Sequence, residues 1–284
     1  MRDVYRSLSV FFIESKCKLL NCNVQTQNQN NAANHQECFY FCLRMTKSKK
    51  GRKHIGRLFL KVVLVLFASS TIYLVLCRWI MPPLTLTQVG ALLGGYGLKR
   101  DYVGADEISP YAKLAAIASE DQLFPEHHGF DWKAIDKSVN GNTKRKKKSR
   151  VRGGGASTIS QQVAKNVFLW QGSGWGRYVR KIPEFYFTQL IEWTWGKKRI
   201  MEVYLNVIEM GPGVFGIEAA AQQYFHKSAR NLSQSEAAMI IACLPNPKKF
   251  TVKPLSRRVQ WRYPHIMTQM NHLRGDDDIE DLLR

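Results

Sequence analysis

Acidic side chains are scarce in this chain: 22 Asp and Glu stand against 42 Lys and Arg, leaving a net charge of +20 over 284 residues. Such an imbalance calls for an anionic partner, either nucleic acid or the phosphates of lipids and membranes. The basic clusters at 47–61, 144–152 and 197–199 lack zinc-finger spacing, an aromatic RNA-binding signature and a bZIP heptad. No nucleic-acid partner is therefore expected. Cysteine is equally thin where it would matter. Cys17, Cys22, Cys38 and Cys42 lie in the first 44 residues at spacings too irregular for zinc, Cys77 lies in an apolar run, and only Cys243 lies in the body. The main domain cannot hold an internal disulfide and must rest on an apolar core. Internal repeats are absent, and alternating strand-like runs are few.

One long apolar run is present. Residues 62–77 carry no charge, and extending the run to 58–81 adds only Lys61 and Arg78 near its ends. About 20 residues cross a hydrocarbon core, and terminal Lys and Arg reach back to the headgroups. Trp79 supplies an aromatic anchor. Where a signal peptide would need small residues for cleavage, Arg78-Trp79 and Pro82-Pro83 stand instead. A retained transmembrane helix is expected at 58–81. Lys47, Lys49, Lys50, Arg52, Lys53 and Arg57 precede it and Lys61 stands at its start, so residues 45–57 form a basic cytoplasmic segment and everything after Pro82 faces outward. Residues 1–44, Asn/Gln-rich from 21 to 36, read as a disordered or non-native extension before a natural start at Met45. A linker is expected at 82–100, the main domain at 101–274 and an acidic tail at 275–284.

Helical periodicity dominates the body. Ser109-Pro110 spells an N-cap with proline at the first helical position, opening a helix over 111–121. That Ala-rich helix ends in Glu120-Asp121, and Pro125 and Gly129 stop it. Two adjacent carboxylates at a helix end facing a loop suit acid/base work, although an exposed pair beside a turn has the same spelling. Asp131 is expected to cap a second helix carrying Trp132, Ile135 and Val139. Glycines 153–155 run into a helix capped by Ser157 and covering 158–167, whose N-terminus favours an anion. On it Thr158, Gln161 and Lys165 share a face, with Gln162 adjacent. Arg180, Lys181 and Glu184 set two cations near a carboxylate, which a salt-bridged helix start would also explain. Long helices are expected over 178–195 and 197–208, the latter carrying Glu202 in a structural role and Asn206 where caps are common. Ser233 to Glu236 spells a capping box.

In this order the segments resemble the glycosyltransferase family 51 domain. Its first motif is met by Glu120, Asp121, Phe124, His127, Gly129 and Asp131. The second runs from Gly155 through Gln162, with Ser160 where Thr is common. The third falls on Arg180, Lys181 and Glu184, and the fourth on 197–206, with Met201 replacing Leu. Gly211, Gly216 and Leu244-Pro245-Asn246-Pro247 continue the match, which spans roughly 101–273. The Lys-Thr-Gly motif of a penicillin-binding domain is missing, and the only Ser-x-x-Lys precedes the apolar run, so the chain is similar to the monofunctional Gram-negative branch of the family.

The resemblance implies a mainly α, lysozyme-like domain with a smaller membrane-facing lobe, preceded by one transmembrane helix. It implies an inner-membrane enzyme with a periplasmic catalytic domain that polymerises lipid II into peptidoglycan glycan strands. Glu120 matches the family's general base. Lys165, Arg180 and Lys181 fit the departing pyrophosphate. Glu184 matches the second essential carboxylate, for which three roles stay open: holding a divalent cation (Mg2+ or Mn2+), orienting the cations, or assisting the leaving group. Asp121, Gln161 and Gln162 are expected to position sugar or phosphate, Ser157 and Thr158 less directly, with Phe124 among the substrate-binding positions. The basic run 144–148 is either a flap attracting pyrophosphate or a solvated loop. Implied partners are lipid II, the growing glycan, the inner membrane, and other cell-wall synthesis or division proteins. The alternative within enzymes is a peptidoglycan-cleaving, lysozyme-like or lytic transglycosylase.

Overall fold

The computed structural model describes residues 32–136, 157–171 and 174–284. The basic run at 144–148, glycines 153–155, Val139 and the first two cysteines lie outside the described residues. The chain divides into two compact units, residues 1–65 and 66–284. In the first, the described residues belong to helix α1 (Ala32–Leu76). Residues 32–44, expected within a disordered extension, are thus helical; the Asn/Gln-rich stretch before them is not described. The 23 residues His54–Leu76 contain an 18-residue window with a mean hydropathy of 2.2. At about 1.5 Å per residue they are long and apolar enough to cross a membrane.

Within the second unit, the end of α1 is tied into the body. Leu74 is fully buried, and the Trp195 indole N–H donates to its carbonyl at 2.9 Å. Thr71 Oγ1 lies 2.7 Å from the Tyr186 hydroxyl, and Arg199 Nη2 donates to the Cys77 carbonyl at 3.0 Å. The Trp195 bond satisfies one of the carbonyls a helix end leaves open. The helix therefore stops at Leu76, and the expected span of 58–81 ends five residues early.

The stretch expected to be a linker is ordered. Helix α2 (Leu86–Leu93) opens with a reciprocal Thr85–Gln88 capping box. Thr87 Oγ1 donates to the Asn166 carbonyl at 3.2 Å, and fully buried Gln88 donates to the Tyr102 hydroxyl at 2.9 Å. Next come β1 (Lys99–Arg100) and α3 (Pro110–Glu120), the latter capped by Ser109 Oγ, which accepts from the Tyr111 amide. Helix α4 (Ile159–Phe168) is capped by Thr158, not by Ser157 as expected: Thr158 Oγ1 accepts from the Gln161 amide while Gln161 accepts from the Thr158 amide. The predicted helix over 178–195 is broken at Arg180 into α5 (Gly176–Val179) and α6 (Lys181–Thr194).

Helix α7 (Lys197–Val207) leads into β2 (Glu209–Gly211) and β3 (Val214–Phe215). Strand β3 pairs parallel with β1 and antiparallel with β2, a small sheet whose strands are too short to show alternation. Gly216 follows at φ +87°, with its absent Cβ only 2.6 Å from the Asn206 carbonyl, so glycine alone fits there. Helices α8 (Ile217–Phe225), α9 (Gln234–Ala242), α10 (Arg257–His272) and α11 (Asp277–Leu283) complete the body. The alanines of α3 and α9 let these helices pack closely with α10, while α4 packs on α6 and α7. Ala115, Ile117, Ile159, Val163, Val203 and Ile241 are fully buried in that core. Both halves converge on the end of α3, where Glu120 sits.

Candidate active site

Glu120 is the last residue of α3, and its carboxylate is held through both oxygens. From α4, Gln162 Nε2 donates to Oε2 at 3.1 Å. Ser119 Oγ donates to Oε1 at 3.0 Å. Arg262, from α10, brings Nη2 to 3.4 Å of the same Oε1 and donates to Ser119 Oγ at 2.8 Å. The Tyr204 hydroxyl on α7 reaches Gln162 Oε1 at 3.4 Å. Burial drives the Tyr204 phenol far above its ordinary value, with Glu120 and Asp121 adding to it, so it acts as a neutral donor.

Lys165 lies one turn beyond Gln162 on α4. Burial pushes its ammonium pKa below the usual lysine range; Arg180 adds to this, Glu184 opposes it, Lys181 adds again and Glu120 opposes. The ammonium is thus within electrostatic reach of Glu120 and of the group that opens α6. There Glu184 is 2% exposed. Lys181 Nζ donates to its Oε1, and Arg180 Nε lies 3.5 Å from its Oε2. This second approach is too poorly aligned for a hydrogen bond. Arg180 Nε and Glu184 Oε2 are both buried without a hydrogen-bond partner among the described residues. Arg180 is itself anchored, donating from Nη1 to the Trp170 carbonyl at 2.9 Å. Four cations thus gather around two carboxylates, a setting that favours an added anion.

Several expected substrate contacts instead turn inward. Phe124 is fully buried and carries the Lys197 ammonium 4.6 Å from its ring centre. Asp121 Oδ2 accepts from the Ile159 amide at 2.9 Å, capping α4 beside Thr158, and takes His127 Nε2 at 2.9 Å. Gln161 Oε1 closes the capping box by accepting from the Thr158 amide, and Thr158 Oγ1 also donates to the Gly129 carbonyl at 2.6 Å. These four side chains build the loop and the cap. All four are buried, and the side-chain oxygens of Asp121, Thr158 and Gln161 already hold local bonds. Ser157 lies just before the cap and stays partly exposed. Gly129, at φ +92°, brings the loop so near Thr188 and Glu192 that an added Cβ would sit 3.0 Å from both. Lys197 locks the same loop by donating to the His127 carbonyl and to Glu192.

Glu202 pairs with Arg199 at 2.9 Å, matching its structural reading. Asn206 is fully buried and brackets Val103, accepting from its amide at 3.0 Å and donating to its carbonyl at 2.9 Å. Among the described residues no three His, Cys, Asp or Glu side chains are grouped to hold a metal. Glu184 already lies between two cations, so this donor set does not fit a divalent ion. Arg262 escaped sequence reading: it lies 142 residues from Glu120 in no motif, and only folding joins them. A cavity of about 500 Å³ lies apart from the site, lined by Arg78, Trp79, Trp195 and Lys198 among others.

A mainly helical body in which one helix-end carboxylate faces a cationic group belongs to a definite class. The family model for transglycosylases matches residues 87–271, beginning inside α2, and the chain belongs to that family. A protein of Bdellovibrio bacteriovorus named biosynthetic peptidoglycan transglycosylase is 46% identical over 216 residues, covering 74% of this chain and 83% of that protein. Proteins of the same name from Escherichia coli and Shigella boydii are each 52% identical over 192 residues, covering 66% of this chain and 76% of theirs.

Proposed function

We infer that this chain is a peptidoglycan glycosyltransferase, which polymerises lipid II into glycan strands. The observation that carries the reading is Glu120, held by Gln162, with Lys165 within electrostatic reach both of it and of the Arg180–Lys181–Glu184 group. In the reaction the acceptor's GlcNAc 4-hydroxyl loses its proton to Glu120 while its oxygen bonds to C1 of the donor MurNAc. The bond from C1 to the pyrophosphate breaks, and undecaprenyl pyrophosphate departs with the electron pair. Lys165, Arg180 and Lys181 stabilise the charge that develops there, and the unbonded Arg180 Nε–H is a donor that a phosphate oxygen satisfies. Glu184 orients those cations, which its contacts with both neighbours support. No step is assigned to a metal.

The lytic alternative acts on finished glycan, which carries no pyrophosphate, and leaves these cations without a task. The family relationship speaks against it as well. The apolar span anchors the protein in the inner membrane as a single pass, N-terminus cytoplasmic and catalytic domain periplasmic, in accord with the lysines and arginines before it. Tyr178, Val179, Ile182 and Trp193 on α5 and α6 are exposed and suit a lobe pressed into the bilayer. Other cell-wall synthesis and division proteins are its proposed partners.

Incubating the full chain in detergent with labelled lipid II tests the reading. Polymer should form, and Glu120→Gln should slow it by about 10²–10⁴-fold, the usual contribution of a positioned base. Release of fragments from sacculi with no polymer would overturn it. For topology, alkaline phosphatase fused near Gln88 should be active; an inactive fusion reverses the orientation.

A further inference from the structure

Arg262 lies within the matched residues 87–271 but outside the four motifs, and its setting is unusual for a structural arginine. Its side chain is only 12% exposed, yet among the described residues its hydrogen bonds, to Ser119 and to Glu120 Oε1, all run through the one nitrogen Nη2. Its Nε is buried with no partner among the described residues. An arginine placed to stabilise the fold would use its fork in a two-point grip on the carboxylate, since an unmet buried donor works against folding. Here the guanidinium meets the carboxylate through one nitrogen and one oxygen.

That contact makes the two oxygens of Glu120 unequal. Oε1 receives a cationic N–H and the Ser119 hydroxyl, itself polarised by the same Arg262 Nη2. Oε2 receives one neutral amide N–H from Gln162. A carboxylate oxygen has two lone pairs, so Oε1 is filled while Oε2 keeps one open. Charge drawn toward a cation is also less available to bind a proton. We propose that Arg262 is a positioning residue acting beside and through Ser119: it immobilises Oε1 of Glu120 and leaves Oε2 as the oxygen that takes the acceptor hydroxyl's proton. Gln162, held by Tyr204, fixes the tilt of that second oxygen. The assignment rests on Glu120 being the base.

The test uses the full chain with lipid II, following kcat, KM and the melting temperature together. Misplacing a reacting group by about 1 Å can cost on the order of 100-fold, so Arg262→Met should lower kcat by about 10- to 100-fold with KM and melting temperature little changed. Arg262→Lys, which keeps a charge and a donor, should recover part of that loss, and Ser119→Ala should lower kcat several-fold. In a Glu120→Gln background, Arg262→Met should add no further loss, because the two act as one unit. Full activity in Arg262→Met overturns the proposal. So does a fall in melting temperature with kcat and KM shifting together and no recovery by lysine, or a loss that simply adds to that of Glu120→Gln. If Glu120→Gln itself keeps its activity, the base assignment fails instead, and the two failures are told apart.

Discussion

Lys165 has to carry a positive charge where burial works against it. Its desolvation favours the neutral amine, Arg180 pushes the same way, and Glu184, Lys181 and Glu120 then pull in alternate directions with a downward result. A lysine with lowered proton affinity loses its charge as pH rises, before an ordinary lysine at about 10.4 does so. Polymerisation should therefore decline on the alkaline side below that value. Lys165→Arg, whose guanidinium stays charged throughout, should carry activity to higher pH, while Lys165→Met should lose it at every pH. A pH–rate profile that is identical for lysine and arginine would remove Lys165 from the alkaline limb. At this scale the fold gathers Glu120, Gln162, Lys165, Arg180, Lys181 and Glu184, all marked in the sequence. Phe124, Asp121, Thr158 and Gln161, marked beside them in the sequence, are buried in the loop and the cap. A motif spells residues that build a loop and residues that face a ligand in the same letters, and only burial separates them. Arg262 was illegible because its meaning lies in a partner 142 residues away.

The element that positions the site is the start of α4, where three carboxylate, hydroxyl and amide groups meet the first turn's open N–H donors. Thr158 accepts from the Gln161 amide, Asp121 from the Ile159 amide, and Thr158 ties the cap to the loop by donating to the Gly129 carbonyl. Thr158→Ala removes one cap bond and the loop tie together. A lost N-cap costs about 0.5–2 kcal/mol, and the upper end applies here because Gly129 also loses its partner. Urea unfolding should show this loss, while kcat per folded molecule falls less than for Gln162→Ala, which touches Glu120 directly. Equal kcat losses would mean that Thr158 meets substrate after all. Helix starts were the most legible elements, since Ser109-Pro110 and Ser233 to Glu236 carry local hydrogen-bond signals that need no tertiary partner. The same signal stood at Thr85 to Gln88, yet the glycines and prolines around it read as linker. What overrides them is tertiary: Gln88 and Thr87 find buried partners in Tyr102 and Asn166. The three short strands offered no periodicity to read.

For the molecule as a whole, hydropathy locates the span but not where it stops being a span. Leu74 and Cys77 have the composition of a membrane helix, but both are buried within the unit that begins at Leu66. The last turns of α1 are thus part of the catalytic body's packing, held by Trp195, Tyr186 and Arg199. A chain shortened to begin at Leu66 should melt well above one shortened to begin at Arg78, both measured in the same detergent. The shorter chain loses a buried leucine, worth about 2–5 kcal/mol by large-to-small core substitutions. It also leaves the Trp195 N–H without its acceptor, at about 1–3 kcal/mol for an unmet buried donor. In a domain of roughly 200 residues each kcal/mol moves the midpoint by about 2–4 °C, so the difference should reach at least about 6 °C. Arg199 would lose its Cys77 acceptor at the same time, loosening α7, which carries Tyr204 beneath Gln162. The shorter chain should therefore polymerise lipid II more slowly even when folded. Equal melting points and equal rates for the two chains would mean that the helix end is tether alone and takes no part in holding the site.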